Sequence, residues 1–425
     1  MDEIRNNARV LGAALTGTTV EFYDFYVYAI AAALVFGPLF FPAESPQAQA
    51  MFAFMSFGLA FLARPLGAIA FGHFGDRVGR KSTLVASLLL MGGSTLLIAF
   101  LPTYAVMSGY GVGWVAPLLL CMLRFGQGLG LGGEWGGAAL LAVENAPPGW
   151  EARFGSAPQF GAPLGFLAAN GLFLLLGLGL SEADFLAWGW RVPFLASALL
   201  VAVGLWVRLR IAETPAFRAA RDRAPPPSVP FGTLLREHPG AVLAGSAAVI
   251  ACFAIFYLST AFALSYATTE RGFPRQDVQL ALLGAIGFLA LGIGIAALAS
   301  DRFGARPVLA WGAAATVVLG LAFGPILTHA GVTAIFALLS AALLVMGFVY
   351  GPLGGFLSAL YPVPVRYTGV SVAFTLGGIM GGALTPIAAQ ALGAAGQGDR
   401  VGWLLCAAGL LTLAGVAFAR PPAAE

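Results

Sequence analysis

The chain contains few charged residues. Asp, Glu, Lys and Arg make up 10% of its 425 residues, whereas hydrophobic residues make up 59%. A soluble protein is usually about one quarter charged, so this composition excludes an ordinary soluble domain. Apolar stretches of roughly 20 residues, the length that crosses a bilayer, recur from end to end. The sequence therefore predicts an all-α polytopic membrane protein whose surroundings are a lipid bilayer.

Cysteine and the usual catalytic constellations are also scarce. Cys121, Cys252 and Cys406 lie in apolar segments and lack the spacing of a disulfide framework or a metal site. No nucleophile with a base occurs at one depth, and no phosphate-binding loop of the P-loop type is present. We therefore expect no enzyme activity, no metal and no cofactor. The net charge of +3 comes from loop arginines, so we expect no nucleic-acid partner.

Twelve apolar segments are long enough to span a membrane, and the alternation typical of barrel strands is absent. The segments cover roughly residues 10–36, 50–72, 83–101, 115–143, 155–180, 191–208, 241–268, 278–299, 307–328, 332–358, 368–392 and 400–419. If the N-terminus is cytoplasmic, sixteen of the 22 Lys and Arg residues, Arg208 included, lie on the cytoplasmic side. This asymmetry predicts that both termini are cytoplasmic.

The chain divides into two similar halves. A charged, proline-rich stretch, "RDRAPPPSVP", follows the sixth segment and cannot form a core. We therefore predict an N-terminal unit (1–208), a cytoplasmic linker (209–240) and a C-terminal unit (241–425), with six helices in each unit. "FGDRVGRK" (74–81) recurs as "ASDRFGARP" (299–307), and "ARFGSAPQFGAPLG" (152–165) recurs as "VRYTGVSVAFTLGG" (365–378). Parallel repeats of this kind indicate a transporter with its site between the halves.

Several motifs resemble those of the major facilitator superfamily and, within it, the metabolite:proton symporters. They are "VEFYDF" (20–25), "FLARPLGA" (61–68), "GHFGDRVGRK" (72–81), "RFGQGLGLGGEWGGA" (124–138), "GWRVPF" (189–194), "ETPAFR" (213–218) and "LYPVPVRYTG" (360–369). The resemblance implies two six-helix bundles, a monomer in the bacterial inner membrane, and proton-coupled import of a small organic metabolite. Porters for α-ketoglutarate, citrate, shikimate and proline or betaine belong to this family, so a carboxylate is the expected substrate class. Proton-driven efflux of drugs or metabolites, and uptake of a zwitterionic osmolyte, remain open.

The first apolar segment carries two carboxylates. Glu21, Asp24 and Tyr28 recur at i, i+3 and i+7 and so share one helix face. A charge at the bilayer centre costs at least about 2.5–3.5 kcal/mol, so each carboxylate needs a partner or a wet cavity. Asp24 and Arg124 lie at similar depths, about 15–18 Å from the outer ends of their segments, and we expect them to pair. The resemblance implies the same pair.

Arg64 and Glu134 lie deeper, where we expect Arg64 to pair with Glu21 or Glu134. Three carboxylates then face two guanidinium groups, so one negative charge is in excess. We assign proton coupling to Asp24, Arg124, Glu21 and Glu134, with Asp24 as the carrier. Buried ion pairs that only hold helices together, and an Arg64 that reaches toward the cytoplasm, are the alternatives.

A solute site needs a few convergent polar groups at mid-depth in an otherwise apolar wall. The candidates are Arg64, Arg124, Tyr28, Gln159, Asn170, Tyr257, Thr260 and Tyr350. The two arginines are suited to binding a carboxylate bidentately. For the tyrosines, helix packing or a place at the membrane interface is the alternative.

The loop after the second segment predicts a cytoplasmic gate, because the resemblance gives it the role of bridging the two bundles. The gate residues are Gly72, Asp76, Arg77, Gly79, Arg80, Glu144, Glu213 and Asp301. Ala305 of the second copy replaces Arg80 of the first, which weakens the case for gating there. The alternative is that the cations of this loop only fix the topology.

Overall fold

A computed structural model of the chain describes residues 2–42, 46–210, 213–223 and 228–420. The described residues form helices and no strand, and twelve helical segments are long and apolar enough to cross a bilayer. We number them span 1 to span 12: Val10–Phe40, Met55–Arg77, Arg80–Ile98, Val115–Val143, Glu151–Gly179, Gly189–Leu209, Pro239–Thr269, Gln276–Phe303, Ala305–His329, Val332–Ser358, Val363–Ala394 and Gly398–Phe418. The predicted all-α fold with twelve spans is confirmed.

Seven spans are formed wholly or mainly by one long helix, and spans 6 and 12 among them begin with a 3-10 turn at Gly189–Arg191 and at Gly398–Arg400. These helices are Pro46–Arg77, Arg80–Ile98, Val115–Val143, Val192–Leu209, Arg275–Phe303, Ala305–His329 and Gly402–Phe418. Span 5 combines Glu151–Ser156, a 3-10 turn at Ala157–Phe160 and Gly161–Gly179, and span 10 combines Val332–Tyr350 and Leu353–Ser358. Four short helices lie between spans: Tyr104–Ser108, Glu182–Ala187, Pro215–Arg223 and Pro230–Glu237.

Spans 1, 7 and 11 each contain a π-helical turn, at Ala32–Phe36, Leu258–Phe262 and Ile379–Leu384. The flanking helices are Asp2–Ala31 and Gly37–Phe40, Pro239–Tyr257 and Ala263–Thr269, and Arg366–Gly378 and Thr385–Ala394. π-Helical turns are rare and occur frequently at functional sites. All three spans also contribute to the cavity described below.

Because the number of spans is even, both ends of the described chain lie at one face of the membrane domain. We call it the terminal face; it also carries the turn at Gly79 between spans 2 and 3 and the turn at Gly304 between spans 8 and 9. Both glycines have positive φ, 130° and 88° respectively, a conformation that side chains with a Cβ rarely adopt. The two sequence repeats therefore make corresponding turns in the two bundles.

The helices Pro215–Arg223 and Pro230–Glu237 connect span 6 to span 7 at the terminal face. Residues 224–227 of the proline-rich stretch lie outside the described residues. The exact unit boundaries at residues 208 and 240 stay a prediction.

Glycines allow spans 2 and 4 to pack backbone against backbone. A Cβ on Gly132 would overlap the carbonyl oxygen of Arg64, and one on Gly128 would lie 2.6 Å from the Cα of Ala60. Small residues at such interfaces let transmembrane helices approach closely. This contact fixes the depth of Arg64 relative to span 4, which carries Arg124 and Glu134.

We predict that Gly132→Ala destabilises the protein by about 1–3 kcal/mol, because the added methyl group forces spans 2 and 4 apart. Gly171→Ala in span 5 is the matched control, since a Cβ there meets nothing within 4 Å. The melting temperature of the purified protein in detergent measures the effect. Equal melting temperatures for the two variants would contradict this account of the packing.

Candidate functional site

A cavity lies between the two bundles, with walls from spans 1, 2, 4 and 5 on one side and spans 7, 10 and 11 on the other. Glu21 and Arg64 are its charged lining residues. The tyrosines Tyr26, Tyr257 and Tyr350 also line it, and the remaining lining residues are Phe22, Phe25, Leu131, Ala162, Cys252, Phe253, Phe256, Met346 and Phe374. This is the composition of a small-solute site, mostly apolar with a few polar groups.

The guanidinium of Arg64 has no carboxylate within 4.0 Å among the described residues. Its Cζ lies 5.8 Å from the ring centroid of Phe61 and 5.9 Å from that of Phe253. The Oε2 atom of Glu21 and the hydroxyl of Tyr350 are buried and have no hydrogen-bond partner in the described part of the chain. Since buried polar groups usually have partners, these groups are available to a solute.

The expected ion pair between Asp24 and Arg124 is absent, which corrects the sequence prediction. The carboxylate of Asp24 is buried and accepts hydrogen bonds from two neutral hydroxyls. Thr95 of span 3 donates to Oδ2 at 2.9 Å, and Ser197 of span 6 donates to Oδ1 at 2.5 Å. Asp24 therefore joins three spans without a cation in contact.

Arg124 lies in an aromatic cage instead. Its Cζ is 4.1 Å from the ring centroid of Tyr28 and 4.7 Å from that of Phe57, a cation–π arrangement. Nε donates to the carbonyl of Phe57 at 3.3 Å, and Nη1 donates to Oε1 of Gln127 at 3.0 Å. The Nη2 atom is buried without a partner in the described part of the chain. Arg124 does not line the cavity.

Arg64 forms an ion pair with neither Glu134 nor Glu21, which corrects the sequence prediction. Glu134 forms a buried ion pair with Arg208 of span 6 and accepts a hydrogen bond from Ser87 at 2.5 Å. Arg208 is 2% exposed, so it belongs to the interior and not to the cytoplasmic loop to which its sequence position assigned it. The side chain turns back from the end of span 6 because Glu134 and the carbonyl of Leu84 are its acceptors.

Three of the predicted solute-binding residues, Arg64, Tyr257 and Tyr350, line the cavity. The others do not line it, and four of them have hydrogen-bond partners within the protein. Tyr28 bonds to Ser56, Gln159 accepts from Trp135, Asn170 donates to the carbonyl of Phe166, and Thr260 donates to that of Phe256. With Arg124, these residues form no part of this cavity wall, and their contact with a solute stays a prediction.

Asp76 links the two bundles at the terminal face. Its carboxylate accepts from the backbone N–H of Tyr367 at 3.0 Å and of Thr368 at 2.9 Å, and from the Thr368 hydroxyl at 2.7 Å. These donors form the N-terminal turn of the span 11 helix, where a negative charge is favourable. Gly72 permits the approach, since a Cβ there would lie 2.8 Å from the Cα of Thr368.

A second link runs through Glu144 at the end of span 4. Its carboxylate lies 3.5 Å from Arg80 and 3.4 Å from Arg366 of span 11, and it accepts from the Thr214 hydroxyl at 2.6 Å. Glu213 accepts from the backbone N–H of Lys81 at 3.2 Å. The segment after span 6 therefore takes part in the contacts at the terminal face.

The second copy of the loop motif also bridges the bundles. Asp301 accepts from Arg153 of span 5, with N–O distances of 2.6 Å. The second copy has Ala305 where the first has Arg80, but this difference does not remove the contact between the bundles. The cation that pairs with Asp301 is Arg153, which belongs to the other bundle. Arg77 is exposed and donates to the carbonyl of Ser228 at 3.4 Å, so it does not contact the second bundle through a described hydrogen bond or ion pair.

Sequence reasoning missed Thr95, Gln127, Ser197, Arg208 and Tyr26. One signal was available: Gln127 lies one turn after Arg124, on the same face of span 4. The hydroxyls gave no signal, because serine and threonine in a span usually bond to the carbonyl of the preceding turn.

The family model described as "Sugar (and other) transporter" matches residues 10–225 and 233–419. The inner membrane metabolite transport protein YhjE of Escherichia coli (strain K12) is 44% identical over 415 residues, covering 96% of this chain and 93% of that protein. The shikimate transporter of the same organism is 38% identical over 389 residues, covering 89% of this chain and 86% of that protein.

Among solved structures, the proton:xylose symporter XylE bound to 6-bromo-6-deoxy-D-glucose has a TM-score of 0.81 at 16% sequence identity. The match covers 97% of this chain and 95% of that one. At this identity the similarity shows the fold alone: two six-helix bundles of the major facilitator type. The family match and the transporter relatives confirm the resemblance seen in the sequence motifs and exclude assignment as an enzyme. The chain belongs to the Sugar (and other) transporter family of the major facilitator superfamily and is a membrane transporter with twelve spans.

Proposed function

We propose that this protein is a proton-coupled symporter that imports a small organic carboxylate by alternating access. It lies in the inner membrane of a bacterium, with the terminal face toward the cytoplasm, and acts as a monomer. The names of the relatives support transport of metabolites, including shikimate, across an inner membrane. The positions of the basic residues support the orientation.

The observation that carries the proposal is the neutral surrounding of Asp24. A contacting arginine would favour the ionised carboxylate, whereas hydroxyls donate to the ionised form and accept from the protonated one. Thr95 and Ser197 therefore allow Asp24 to exist in both forms within the membrane. A proton carrier requires this property, and a purely structural ion pair lacks it.

Arg64 supports a carboxylate as the solute. Its guanidinium faces the cavity without an ion-pair partner among the described residues, and it presents a planar set of donors that matches a carboxylate. The hydroxyls of Tyr257 and Tyr350 lie on the opposite wall and are suited to hydroxyl or carbonyl groups of the solute. A solute bound between the bundles would contact both of them and could therefore change the equilibrium between their relative positions during alternating access.

A zwitterionic solute is the second candidate, because Glu21 lines the same cavity as Arg64. A carboxylate and a guanidinium in one cavity match the two charges of an amino acid. The aromatic residues Phe25, Phe253 and Phe256 also suit a substituted ammonium group.

Purified protein in proteoliposomes tests the function. With an acidic outside medium, we expect labelled shikimate or α-ketoglutarate to accumulate, and xylose to remain at equilibrium. Asp24→Asn should abolish this accumulation but retain exchange of solute across the membrane, since exchange needs no net proton movement. Ser94→Ala, which alters a hydroxyl of span 3 bonded to the Leu90 carbonyl, is the control and should behave as wild type.

Accumulation of proline in place of the carboxylates would favour the zwitterion. Accumulation only when the proton gradient is reversed would indicate efflux. Uptake that ignores the gradient, or full accumulation by Asp24→Asn, would contradict proton coupling through Asp24.

For the gate, we predict that Asp76→Asn opens the terminal face more often. The amide nitrogen cannot accept the N–H groups of Tyr367 and Thr368, and a hydrogen bond to a charged group contributes about 1.5–3 kcal/mol. Labelling of Cys252 from the terminal face, with Cys121 and Cys406 replaced by serine, should accelerate roughly tenfold or more. Cys252 is a suitable reporter because it lines the cavity.

The exposed Asp222→Asn on the helix Pro215–Arg223 is the matched control and should leave the labelling rate unchanged. An Asp76→Asn rate equal to that of the control would show that the carboxylate does not hold the terminal face closed.

A further inference from the structure

Asp24 and Arg124 are connected although they do not touch. Arg124 donates from Nη1 to Oε1 of Gln127 at 3.0 Å, and Gln127 donates from Nε2 to Oγ1 of Thr95 at 2.7 Å. Thr95 in turn donates to Oδ2 of Asp24 at 2.9 Å. Three hydrogen bonds thus join the guanidinium of span 4 to the carboxylate of span 1 through span 3. Gln127 and Thr95 are both buried, so solvent does not compete for these bonds.

The direction of each bond follows from the chemistry of the groups. Arginine only donates, so the oxygen of the Gln127 amide faces Arg124 and its NH₂ group faces Thr95. The Thr95 oxygen therefore accepts from Gln127 and has one hydrogen left. That hydrogen has two acceptors within reach, Oδ2 of Asp24 at 2.9 Å and the carbonyl oxygen of Met91 at 3.0 Å.

We propose that Gln127 and Thr95 are positioning residues that couple Arg124 to the protonation of Asp24, with the Thr95 hydroxyl as a two-position switch. The inference rests on the proposed function, in which Asp24 carries the proton. With Asp24 ionised, Thr95 donates to Oδ2. When a proton from solution forms an O–H bond at Oδ2, that group donates to the second lone pair of Thr95, and Thr95 donates to Met91.

Gln127, Thr95 and Asp24 stay hydrogen-bonded to one another in both states, as a buried polar network requires. The switch needs only a rotation of the Thr95 hydroxyl. Donation from Gln127 polarises the hydroxyl and strengthens its bond to the ionised carboxylate. The positive charge of Arg124 therefore acts on Asp24 through two neutral side chains, where the sequence suggested a direct ion pair.

Other titratable groups around Asp24 lie on its own span and on spans 2, 4 and 6. Tyr23 and Glu21 are on its own helix, and Glu134 of span 4 acts on it electrostatically. Glu134 is paired with Arg208 of span 6 and bonded to Ser87 of span 3. Arg64 of span 2 lines the cavity together with Glu21, and the helix Gly161–Gly179 of span 5 contains no titratable residue. None of these groups lies in the chain from Arg124 to Asp24, so the variants below leave them in place.

Infrared spectroscopy of the full-length protein in lipid nanodiscs tests the proposal without any solute. The C=O stretch of the protonated Asp24 carboxyl is identified as the pH-dependent band that Asp24→Asn removes. Thr95→Val deletes a donor to the ionised carboxylate, so protonation of Asp24 becomes easier. The pH at which half of this band has appeared, its midpoint, should move up by about one pH unit or more. Thr95→Ser keeps the hydroxyl and should restore the wild-type midpoint.

Gln127→Leu tests whether the whole series of hydrogen bonds from Arg124, and not the Thr95 hydroxyl alone, acts on Asp24. We expect a smaller upward shift in the wild-type background and none in the Thr95→Val background, since the effect of Gln127 passes through the hydroxyl. Ser94→Ala is the control on the same helix and should leave the midpoint unchanged. If Thr95→Val does not fold, Thr95→Ala, which also lacks the hydroxyl, takes its place in both comparisons.

An unchanged midpoint in Thr95→Val overturns the switch while leaving Asp24 as the proton carrier. Equal shifts from Gln127→Leu in both backgrounds overturn the coupling through Thr95. If Asp24→Asn removes no pH-dependent band, the proposed function itself fails and the switch fails with it.

Discussion

The structure depends on a buried carboxylate, Asp24, that is stabilised by hydroxyls and not by a cation. A charge within a membrane is expensive unless donors replace the water it has lost. Thr95 and Ser197 supply these donors from spans 3 and 6, so the charge also fixes how three helices of the first bundle meet. Because a hydroxyl can also accept from a protonated carboxyl, these surroundings suit either charge state of Asp24.

The first bundle contains two buried charged layers, one formed by Asp24 and Arg124 and one by Glu134 and Arg208, and the layers have different chemistry. Glu134 and Arg208 form a direct buried ion pair. Breaking such a pair by removing one partner is strongly destabilising, so this layer is structural in our account. Asp24 and Arg124 are instead separated by neutral groups. The cavity lined by Arg64 and Glu21, in which we propose that the solute binds, is also lined by Phe25, the residue next to Asp24 in the sequence.

Much of the fold could be predicted from the sequence, because each span needs about 20 apolar residues and each buried charge needs a partner or a polar environment. The twelve spans, the repeated turns at Gly79 and Gly304, and the position of Asp24 in span 1 follow from these constraints. The partners could not be predicted in the same way. Thr95 and Ser197 resemble any hydroxyl residue within a span, and Arg208 stands at a span end, where an arginine usually meets solvent. Their roles depend on side-chain direction, which spacing along one helix does not determine.

The central claim is that Asp24 carries a proton in step with the solute. The most direct measurement is the pH inside proteoliposomes, reported by a trapped dye, after a transported carboxylate is added outside at equal pH on both sides. We predict that the lumen becomes acidic with the wild-type protein and stays unchanged with Asp24→Asn. Acidification of the same size by Asp24→Asn would contradict the account.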